Sequence, residues 1–308
     1  MMGDPGAEMS AVGPGRAHAV AEPLPPRDAI AALSDFVDRH PRLFVLTGAG
    51  ASADSGIPCY RDADGEWQRS PPVLLRDFLS SETARQRYWA RSLVGWPVVA
   101  TARPNPTHWA LAHLEAAGRV EQLVTQNVDG LHERAGSRNV IELHGNLARV
   151  VCVDCGARWA RADIQRTLEQ QNAAPLTAIA AVAPDGDADV RGVDYSRLHV
   201  PRCGQCDGTL KPDVVFFGEG VPRERVARAL SALARADAML VVGSSLMVYS
   251  GYRFCESARA LGKPIAAVNL GRTRADDLLS LKLESGCAQA LAALLAQLQT
   301  RKFIRAGR

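Results

Sequence analysis

The residues from Gly48 to Arg61, GAGASADSGIPCYR, have the types and spacing of a phosphate-binding turn. They follow an apolar, strand-like stretch, and the small residues at 48, 50 and 53 match the spacing of a dinucleotide-binding turn. In such a turn the first glycine permits a tight bend and the second admits a pyrophosphate close to the backbone. The small third residue lets the next helix pack with its N–H groups facing the anion. The stretch therefore predicts a dinucleotide site.

The sequence after this turn departs from that of a dehydrogenase. A dehydrogenase would continue as a helix and a second strand that ends in an acidic residue about 20 residues further on. Here Pro58 ends the helix early, and the polar, turn-rich stretch that follows contains no strand to present such a residue. We therefore expect a loop to hold the dinucleotide, with Tyr60, Arg61 and Trp67 available to cover it. A covering loop suits chemistry on the ribose better than hydride transfer.

Four of the seven cysteines form two C-x-x-C pairs, Cys152 with Cys155 and Cys203 with Cys206. Each pair can present two thiolates to one face, and four thiolates form the tetrahedral set that holds zinc at about 2.3 Å. The pairs favour metal binding in a reducing compartment over disulfides. Because four protein sulfurs leave no open coordination position, we predict one structural zinc ion without a catalytic role.

Polar clusters follow three of the predicted strands directly. They are Gln126-Asn127-Val128-Asp129, Gly243-Ser244-Ser245 and Asn269-Leu270-Gly271. Open α/β sheets bind ligands at the carboxyl ends of their strands, so these clusters and the glycine turn predict one cofactor cleft. His144 precedes the cysteine module, near a predicted domain junction, and a neutral imidazole there can accept a proton from a hydroxyl group.

Alternating strands and helices surround these motifs. Helices are predicted over 28–39, 72–99 with breaks at Gly95 and Pro97, 106–117, 223–236 and 289–299; strands are predicted over 43–47, 122–125, 214–217, 239–242 and 265–268. The alternation predicts an α/β fold with a parallel sheet, into which the module from Cys152 to Cys206 is inserted.

The predicted elements and motifs also divide the chain. We expect residues 28–147 and 212–301 to form the sheet domain and residues 148–211 to form the zinc-binding module. The helical segment 72–105 is assigned to the small lobe. Residues 1–27, rich in Gly, Ala and Pro, are expected to be a disordered tail, and residues 302–308 a C-terminal tail.

Composition limits the class of protein. At 308 residues and 47% hydrophobic content, the chain can bury the cores of one large domain and one small one. A net charge of +3 does not argue for a nucleic-acid-binding protein. No apolar run reaches the roughly 18 residues of a membrane span. Acidic residues precede any basic one at the N-terminus, unlike a signal or transit peptide, so a cytoplasmic location is expected.

Taken together, the motifs resemble the sirtuin family of NAD-dependent protein-lysine deacylases. The resemblance rests on GAGASADSGIP, PNPTHWAL, TQNVDGLHERAG, ELHG, the paired C-x-x-C, KPDVVFFGE, GSSLMVYS and VNLG, which stand in family order from about residue 28 to 300. RYWARSLVGWP, the long cysteine spacing, APDGD and GYRF are most similar to class II, which includes a mitochondrial animal member. The resemblance indicates a bacterial member.

This resemblance implies a large Rossmann-like domain and a small zinc domain, with NAD and an acyl-lysine entering the cleft between them from opposite sides. It assigns the base to His144 and places Asn127, also expected to be catalytic, with Asp129 and Gln126 around nicotinamide and its ribose. Its other NAD contacts are Gly48, Ala49, Gly50, Ala51, Asp54, Ile57, Tyr60, Arg61, Trp67, Gly243, Ser244, Ser245, Asn269, Leu270, Gly271 and Cys287. An added strand of substrate would pair with Val214, Val215, Phe216, Phe217, Gly218 and Glu219.

The implied reaction is deacylation. The acyl-lysine carbonyl oxygen attacks the ribose carbon as nicotinamide leaves, His144 accepts a ribose hydroxyl proton, and the products are nicotinamide, O-acyl-ADP-ribose and free lysine. Mono-ADP-ribosyl transfer to protein and lipoyl- or biotinyl-lysine hydrolysis remain open alternatives. A non-catalytic NAD sensor would not need a base, and the cysteine module lacks the basic and aromatic clustering of a nucleic-acid adaptor. The expected partners are acyl-lysine proteins, and the expected state is a monomer.

One pair of residues bears on which acyl group the protein removes. Tyr88 and Arg91 share a helix face, and their spacing resembles the Tyr-x-x-Arg that the desuccinylase class uses for acidic acyl chains. The alternative is that Arg85, Arg87 and Arg91 form a solvated basic face, and the sequence leaves both interpretations open.

Overall fold

A parallel β-sheet forms the larger part of the computed structural model, which describes residues 26–59, 73–172 and 195–306. The strands are β1 (Leu43–Thr47), β2 (Val120–Thr125), β3 (Val140–Glu142), β4 (Gly145–Cys152), β5 (Arg158–Ala160), β6 (Leu210–Val214), β7 (Ala238–Val242), β8 (Ile265–Val268) and β9 (Leu281–Leu283). Six of them pair in the order β3-β2-β1-β7-β8-β9, and every pair is parallel. The predicted α/β fold with a Rossmann-like parallel sheet is confirmed.

Helices cover both faces of this sheet. The helices of the described residues are α1 (Arg27–Arg39), α2 (Leu75–Ser80), α3 (Glu82–Thr101), α4 (Pro106–Ala116), α5 (Leu131–Arg134), α6 (Arg161–Gln171), α7 (Arg223–Arg235), α8 (Tyr249–Ala260) and α9 (Cys287–Ala306). Helices α1, α4 and α9 pack on one face, and α7 and α8 pack on the other. Because β1 and β7 are buried on both faces, their sequences are continuous apolar runs.

A second, three-stranded antiparallel sheet, β5-β4-β6, carries the cysteine pairs. The prediction of a strand over 214–217 within the alternating parallel pattern is wrong, because β6 ends at Val214 and belongs to this smaller sheet. Beyond it the Phe216 N–H donates to the Glu219 carboxylate, which also accepts from the Lys211 ammonium. These bonds turn the chain, so the apolar run is not a sheet strand.

Helix α3 continues through Gly95 and Pro97, so the predicted breaks there are wrong. A proline within a helix leaves the carbonyl four residues earlier without its donor. Here that carbonyl belongs to Leu93, and the Gln165 side-chain amide on α6 donates to it at 2.9 Å. A neighbouring helix thus supplies the missing hydrogen bond.

Other predicted boundaries shift by a few residues. Helix α1 begins at Arg27, and α9 is longer at both ends than the predicted 289–299, reaching Ala306 within the predicted tail. Strands β3, β4, β5 and β9 were not predicted, and neither were helices α5, α6 and α8. The predicted disordered tail lies outside the described residues up to position 25.

The two sheets meet where β4 begins. Gly145 pairs with Val214 of β6, and the next N–H along, that of Val215, donates to the His144 carbonyl at 2.7 Å. Gly145 has φ +87°, and a Cβ there would overlap the Asp213 carbonyl oxygen. Only glycine therefore satisfies both the left-handed backbone and the close approach of β6 at this junction.

Gly145→Ala should destabilise the fold much more than Gly262→Ala. Gly262 also has positive φ, +65°, but open space around its Cβ position, so alanine there costs only the left-handed strain of about 1–2 kcal/mol. At position 145 the alanine Cβ would also clash with the Asp213 carbonyl of β6, and this cost adds to the left-handed backbone strain. Urea unfolding of both variants measures the difference, and equal losses of unfolding free energy would contradict this account of the junction.

Candidate active site

A cleft of ≈ 630 Å³ lies along the carboxyl edge of the parallel sheet and reaches the chain that follows β6. The residues of the expected NAD, substrate and base sets that line it are Gly48, Ala49, Gly50, Asp54, Ile57, Tyr88, Gln126, Asn127, Asp129, His144, Val214, Val215, Phe216, Phe217, Gly218, Glu219, Gly243, Ser244, Ser245, Asn269, Leu270 and Cys287. The structure therefore brings together residues that are widely separated in the sequence.

Some expected contacts are not at the cleft surface. Ala51 and Gly271 are not among the lining residues, and neither is Arg91. Tyr60, Arg61 and Trp67 lie outside the described residues, as does the APDGD motif.

The glycine turn crosses the end of β7 at very short range. The Gly50 N–H donates to the Gly243 carbonyl at 2.8 Å, and a Cβ on Gly50 would lie 2.9 Å from the Gly243 Cα. Two short 3₁₀ turns, Ala49–Ala51 and Ala53–Ser55, occupy the position of the predicted helix. The glycine backbone, which lacks side chains at 48 and 50, leaves a surface that a pyrophosphate can approach.

Ser52 connects the turn to the polar cluster after β2. Its hydroxyl donates to the Asp129 carboxylate at 2.8 Å and accepts from the Asn127 amide at 3.0 Å, and the same amide also donates to the Gly48 carbonyl. Burial raises the pKa of Asp129, while hydrogen bonds from the Leu131 N–H and Ser52 oppose that shift. Sequence reasoning did not identify Ser52, whose role depends on contacts distant in the chain.

His144 is held at both ring nitrogens. Its Nδ1 lies 2.9 Å from the Gln126 carbonyl oxygen, which can only accept, so Nδ1 carries the proton. Its Nε2 lies 2.8 Å from the Ser250 hydroxyl on the cleft wall and has a lone pair. Burial lowers the pKa of His144 to about 4, and the charges of Arg225 and Arg253 add to the effect. The imidazole is therefore neutral at pH 7 and can accept a proton.

Gln126 is fixed from two sides. Its side-chain oxygen accepts from the Ser244 hydroxyl at 2.6 Å, and its backbone carbonyl orients His144. A Cβ on Gly251 would lie only 2.6 Å from the Gln126 amide nitrogen, so glycine here lets the first turn of α8 pack against it. Neither Ser250 nor Gly251 was predicted as a site residue; the GYRF motif that includes Gly251 was noted only for its resemblance.

An aromatic wall closes the other part of the cleft. Tyr88 stacks near Phe216 with ring centroids 5.2 Å apart, and both line the cleft. Phe217 pairs with Leu74 as an isolated parallel bridge. Arg91 is only 6% exposed, so the interpretation of its side chain as part of a solvated basic face is wrong.

The four cysteines of the two C-x-x-C pairs converge at the end of the small sheet, with their sulfurs within 4.8 Å of one another. The Sγ atoms of Cys152 and Cys206 are 3.5 Å apart, and those of Cys155 and Cys203 are 3.7 Å apart. Tetrahedral zinc with Zn–S bonds of about 2.3 Å requires sulfur separations of about 3.8 Å. The geometry and the soft thiolate donors therefore fit one structural zinc ion.

Comparisons with known proteins agree with this geometry. The sequence model of the Sir2 family matches residues 48–250. An NAD-dependent protein deacetylase of Xanthomonas campestris pv. campestris (strain 8004) is 61% identical over 263 residues, which cover 85% of this chain and 90% of that protein. The NAD-dependent protein lipoamidase sirtuin-4, mitochondrial, of Bos taurus is 46% identical over 274 residues, 87% of each chain.

Solved structures of Sir2 proteins share the fold. A complex of Sir2 with a p53 peptide and NAD+ is 30% identical, covers 88% of this chain and 99% of its own, and has a TM-score of 0.69. A Sir2 complex with the inhibitor EX-527, 2'-O-acetyl-ADP-ribose and deacetylated p53 peptide is also 30% identical, covers 87% and 98%, and has the same TM-score of 0.69.

Cys155→Ser should remove the metal and destabilise the small sheet. Loss of one thiolate breaks the four-sulfur set, so we expect less than one zinc ion per chain by elemental analysis and a Tm lower by about 5 °C or more. Cys59→Ser, the same change outside the cluster, is the control and should retain full zinc. A Cys155→Ser protein with full zinc and an unchanged Tm would show that the cluster is not a zinc site.

Proposed function

The chain belongs to the Sir2 family, and on that premise we propose that its cleft binds NAD beside an acyl-lysine side chain and moves the acyl group from lysine to ADP-ribose. The chain is an NAD-dependent protein deacylase. NAD and one water molecule are consumed as co-substrates, giving nicotinamide, O-acyl-ADP-ribose and free lysine. The observation that supports the reaction best is the half-buried, neutral His144 in the cleft.

The polar end of the cleft is suited to the nicotinamide half of NAD. Ser52 hydrogen-bonds both Asn127 and Asp129, and Ser244 hydrogen-bonds Gln126, so these three side chains are oriented in the absence of ligand. Preorganised dipoles stabilise developing charge without reorganisation during the reaction. We assign Asn127 and Asp129 to nicotinamide and its ribose, and Gln126 to the same ribose.

His144 is assigned as the general base. Its Nδ1–H is donated to Gln126, which leaves the Nε2 lone pair as the proton acceptor. After nicotinamide has left, Nε2 takes the proton of a ribose hydroxyl, and the freed oxygen attacks the acyl carbon. The nearby Arg225 and Arg253 disfavour the resulting imidazolium, so His144 is a weak base that returns its proton readily.

The remaining expected contacts are assigned on the same premise. Residues 214–219, which line the cleft beyond β6, would pair with the substrate backbone as an added strand. Asn269 and Cys287 line the cleft at the far strand of the sheet and are assigned to the adenosine half. The zinc ion would be held by the four cysteines of the C-x-x-C pairs and would stabilise the module over 148–211.

The acyl end of the cleft is aromatic. Tyr88 and Phe216 line it, while Arg91 is buried and is not among the lining residues. The similarity to a protein named lipoamidase favours hydrolysis of a long acyl chain as a second activity of this cleft. A lipoyl-lysine peptide assayed beside an acetyl-lysine peptide distinguishes the two activities.

We also propose that the substrates are acyl-lysine proteins of the cytoplasm. Support comes from the four thiolates, which bind metal in a reducing compartment. None of the helices in the described ranges has the length and apolar character that crossing a membrane requires.

His144→Ala should slow deacylation by about 10²- to 10⁴-fold, the usual contribution of a general base. Nicotinamide release and exchange into NAD should persist, because the base acts after that step, and NAD should still bind. Chromatographic separation of peptide and nucleotide products measures both steps. His113→Ala, at an exposed histidine, is the control and should keep wild-type activity. Deacylation by His144→Ala near the wild-type rate would reject the assignment.

The pH dependence of deacylation should lack an acidic limb near the ordinary histidine pKa of 6.5. Protonation removes the Nε2 lone pair, so the rate falls only as pH drops through the folded-state pKa of about 4. Single-turnover rates with saturating NAD and peptide should therefore be flat from about pH 8 to about pH 5.5. A half-maximal rate near pH 6.5 would show that burial does not lower the pKa of the base.

A further inference from the structure

The Ser250 hydroxyl is the only described side-chain group hydrogen-bonded to the Nε2 of His144. The two atoms are 2.8 Å apart, and Ser250 lines the cleft in the first turn of α8. The opposite ring nitrogen is bound to the Gln126 carbonyl at 2.9 Å. The imidazole is thus fixed at both edges, so it cannot rotate without breaking one of two hydrogen bonds.

A serine hydroxyl is suited to both charge states of this ring. While Nε2 has its lone pair, the hydroxyl donates to it; once Nε2 has gained a proton, the serine oxygen can accept from the new N–H. The charged groups that affect the pKa of His144 are Arg225 on α7 and Arg253 on α8, and both disfavour the imidazolium. Among the described residues, no carboxylate offsets these two positive charges. Ser250 is therefore the group placed to hydrogen-bond the protonated ring at Nε2.

Among the described residues, the Ser250 hydroxyl makes no hydrogen bond other than the one to His144. The N-cap of α8 is Val248, and no side chain caps this helix end, so Ser250 does not stabilise the helix terminus. The position of the serine is fixed by its neighbour, because the missing side chain of Gly251 lets this turn pack against Gln126. The Gly251 N–H donates to the Val248 carbonyl at 3.1 Å and closes the turn.

We propose that Ser250 is a positioning residue for the base, which orients the imidazole of His144 and accepts its Nε2–H after proton transfer. This inference rests on the proposed deacylase function. In the step, the Ser250 O–H first turns away from Nε2 and frees its lone pair. The ribose O–H bond then breaks and an N–H bond forms at Nε2, while the oxygen electron pair forms the new bond to the acyl carbon and the C=N π pair of the imidate moves to the lysine nitrogen. Ser250 keeps its own proton and turns its oxygen towards Nε2–H.

The test compares Ser250→Ala, Ser250→Thr and the control Ser257→Ala. Ser257 is on the same helix, but its hydroxyl bonds the Arg253 carbonyl and not the base. For Ser250→Ala we expect kcat for deacylation to fall about tenfold or more, since a hydrogen bond to a charged group is lost. The KM for NAD and the rate of nicotinamide exchange should stay within about twofold, because both precede the base step.

Ser250→Thr should restore most of the lost kcat, because it replaces the hydroxyl, and Ser257→Ala should match the wild type. A Ser250→Ala protein with wild-type kcat would overturn the inference. An equal loss of nicotinamide exchange and deacylation in Ser250→Ala, with no recovery in Ser250→Thr, would also overturn the inference. That pattern would indicate altered packing of the cleft. A wild-type chain that releases nicotinamide but forms no O-acyl-ADP-ribose would overturn the proposed function, and with it this inference.

Discussion

The placement of the half-buried His144 at the junction of the two sheets is the constraint on which the rest of the site depends. The preceding residue, Leu143, donates its N–H to the end of β2, and the His144 carbonyl accepts from Val215 beyond β6. Gly145 then starts the small sheet in a conformation that only glycine adopts at low cost. The same backbone path that joins the sheets therefore desolvates the imidazole and keeps it neutral at physiological pH.

The second requirement is close approach at the carboxyl edge of the parallel sheet. Gly50 and Gly243 bring the ends of β1 and β7 into contact, and Ser52 then reaches both Asn127 and Asp129. One short turn thus provides a backbone surface for a pyrophosphate and orients the polar side chains of the neighbouring strand. The small zinc-fitting sheet supplies the opposite wall, through the chain that follows β6.

Much of this arrangement could be predicted from the sequence, because it depends on local patterns. Apolar runs predicted the parallel strands, glycine spacing predicted the turn, and the C-x-x-C pairs predicted the cysteine cluster. Clusters that directly follow strands must meet at one sheet edge, so most of the expected cleft residues line the cleft.

What could not be predicted depends on contacts between distant residues. The donor from Gln165 that lets α3 pass through Pro97 comes from another helix. The Glu219 carboxylate turns the chain after Val214, and burial removes Arg91 from solvent. Ser52 and Ser250 stand in the motifs GAGASADSGIP and GSSLMVYS, but their partners Asp129 and His144 are distant in the sequence, and only the fold brings them together.

The most direct test of the account is mass spectrometry of the products that the wild-type protein forms from NAD and an acetyl-lysine peptide. The account predicts free lysine peptide, nicotinamide and O-acetyl-ADP-ribose in equal amounts. Nicotinamide release with ADP-ribose attached to protein, and with the acetyl peptide intact, would contradict it. That result would mean that the cleft activates NAD but does not transfer the acyl group.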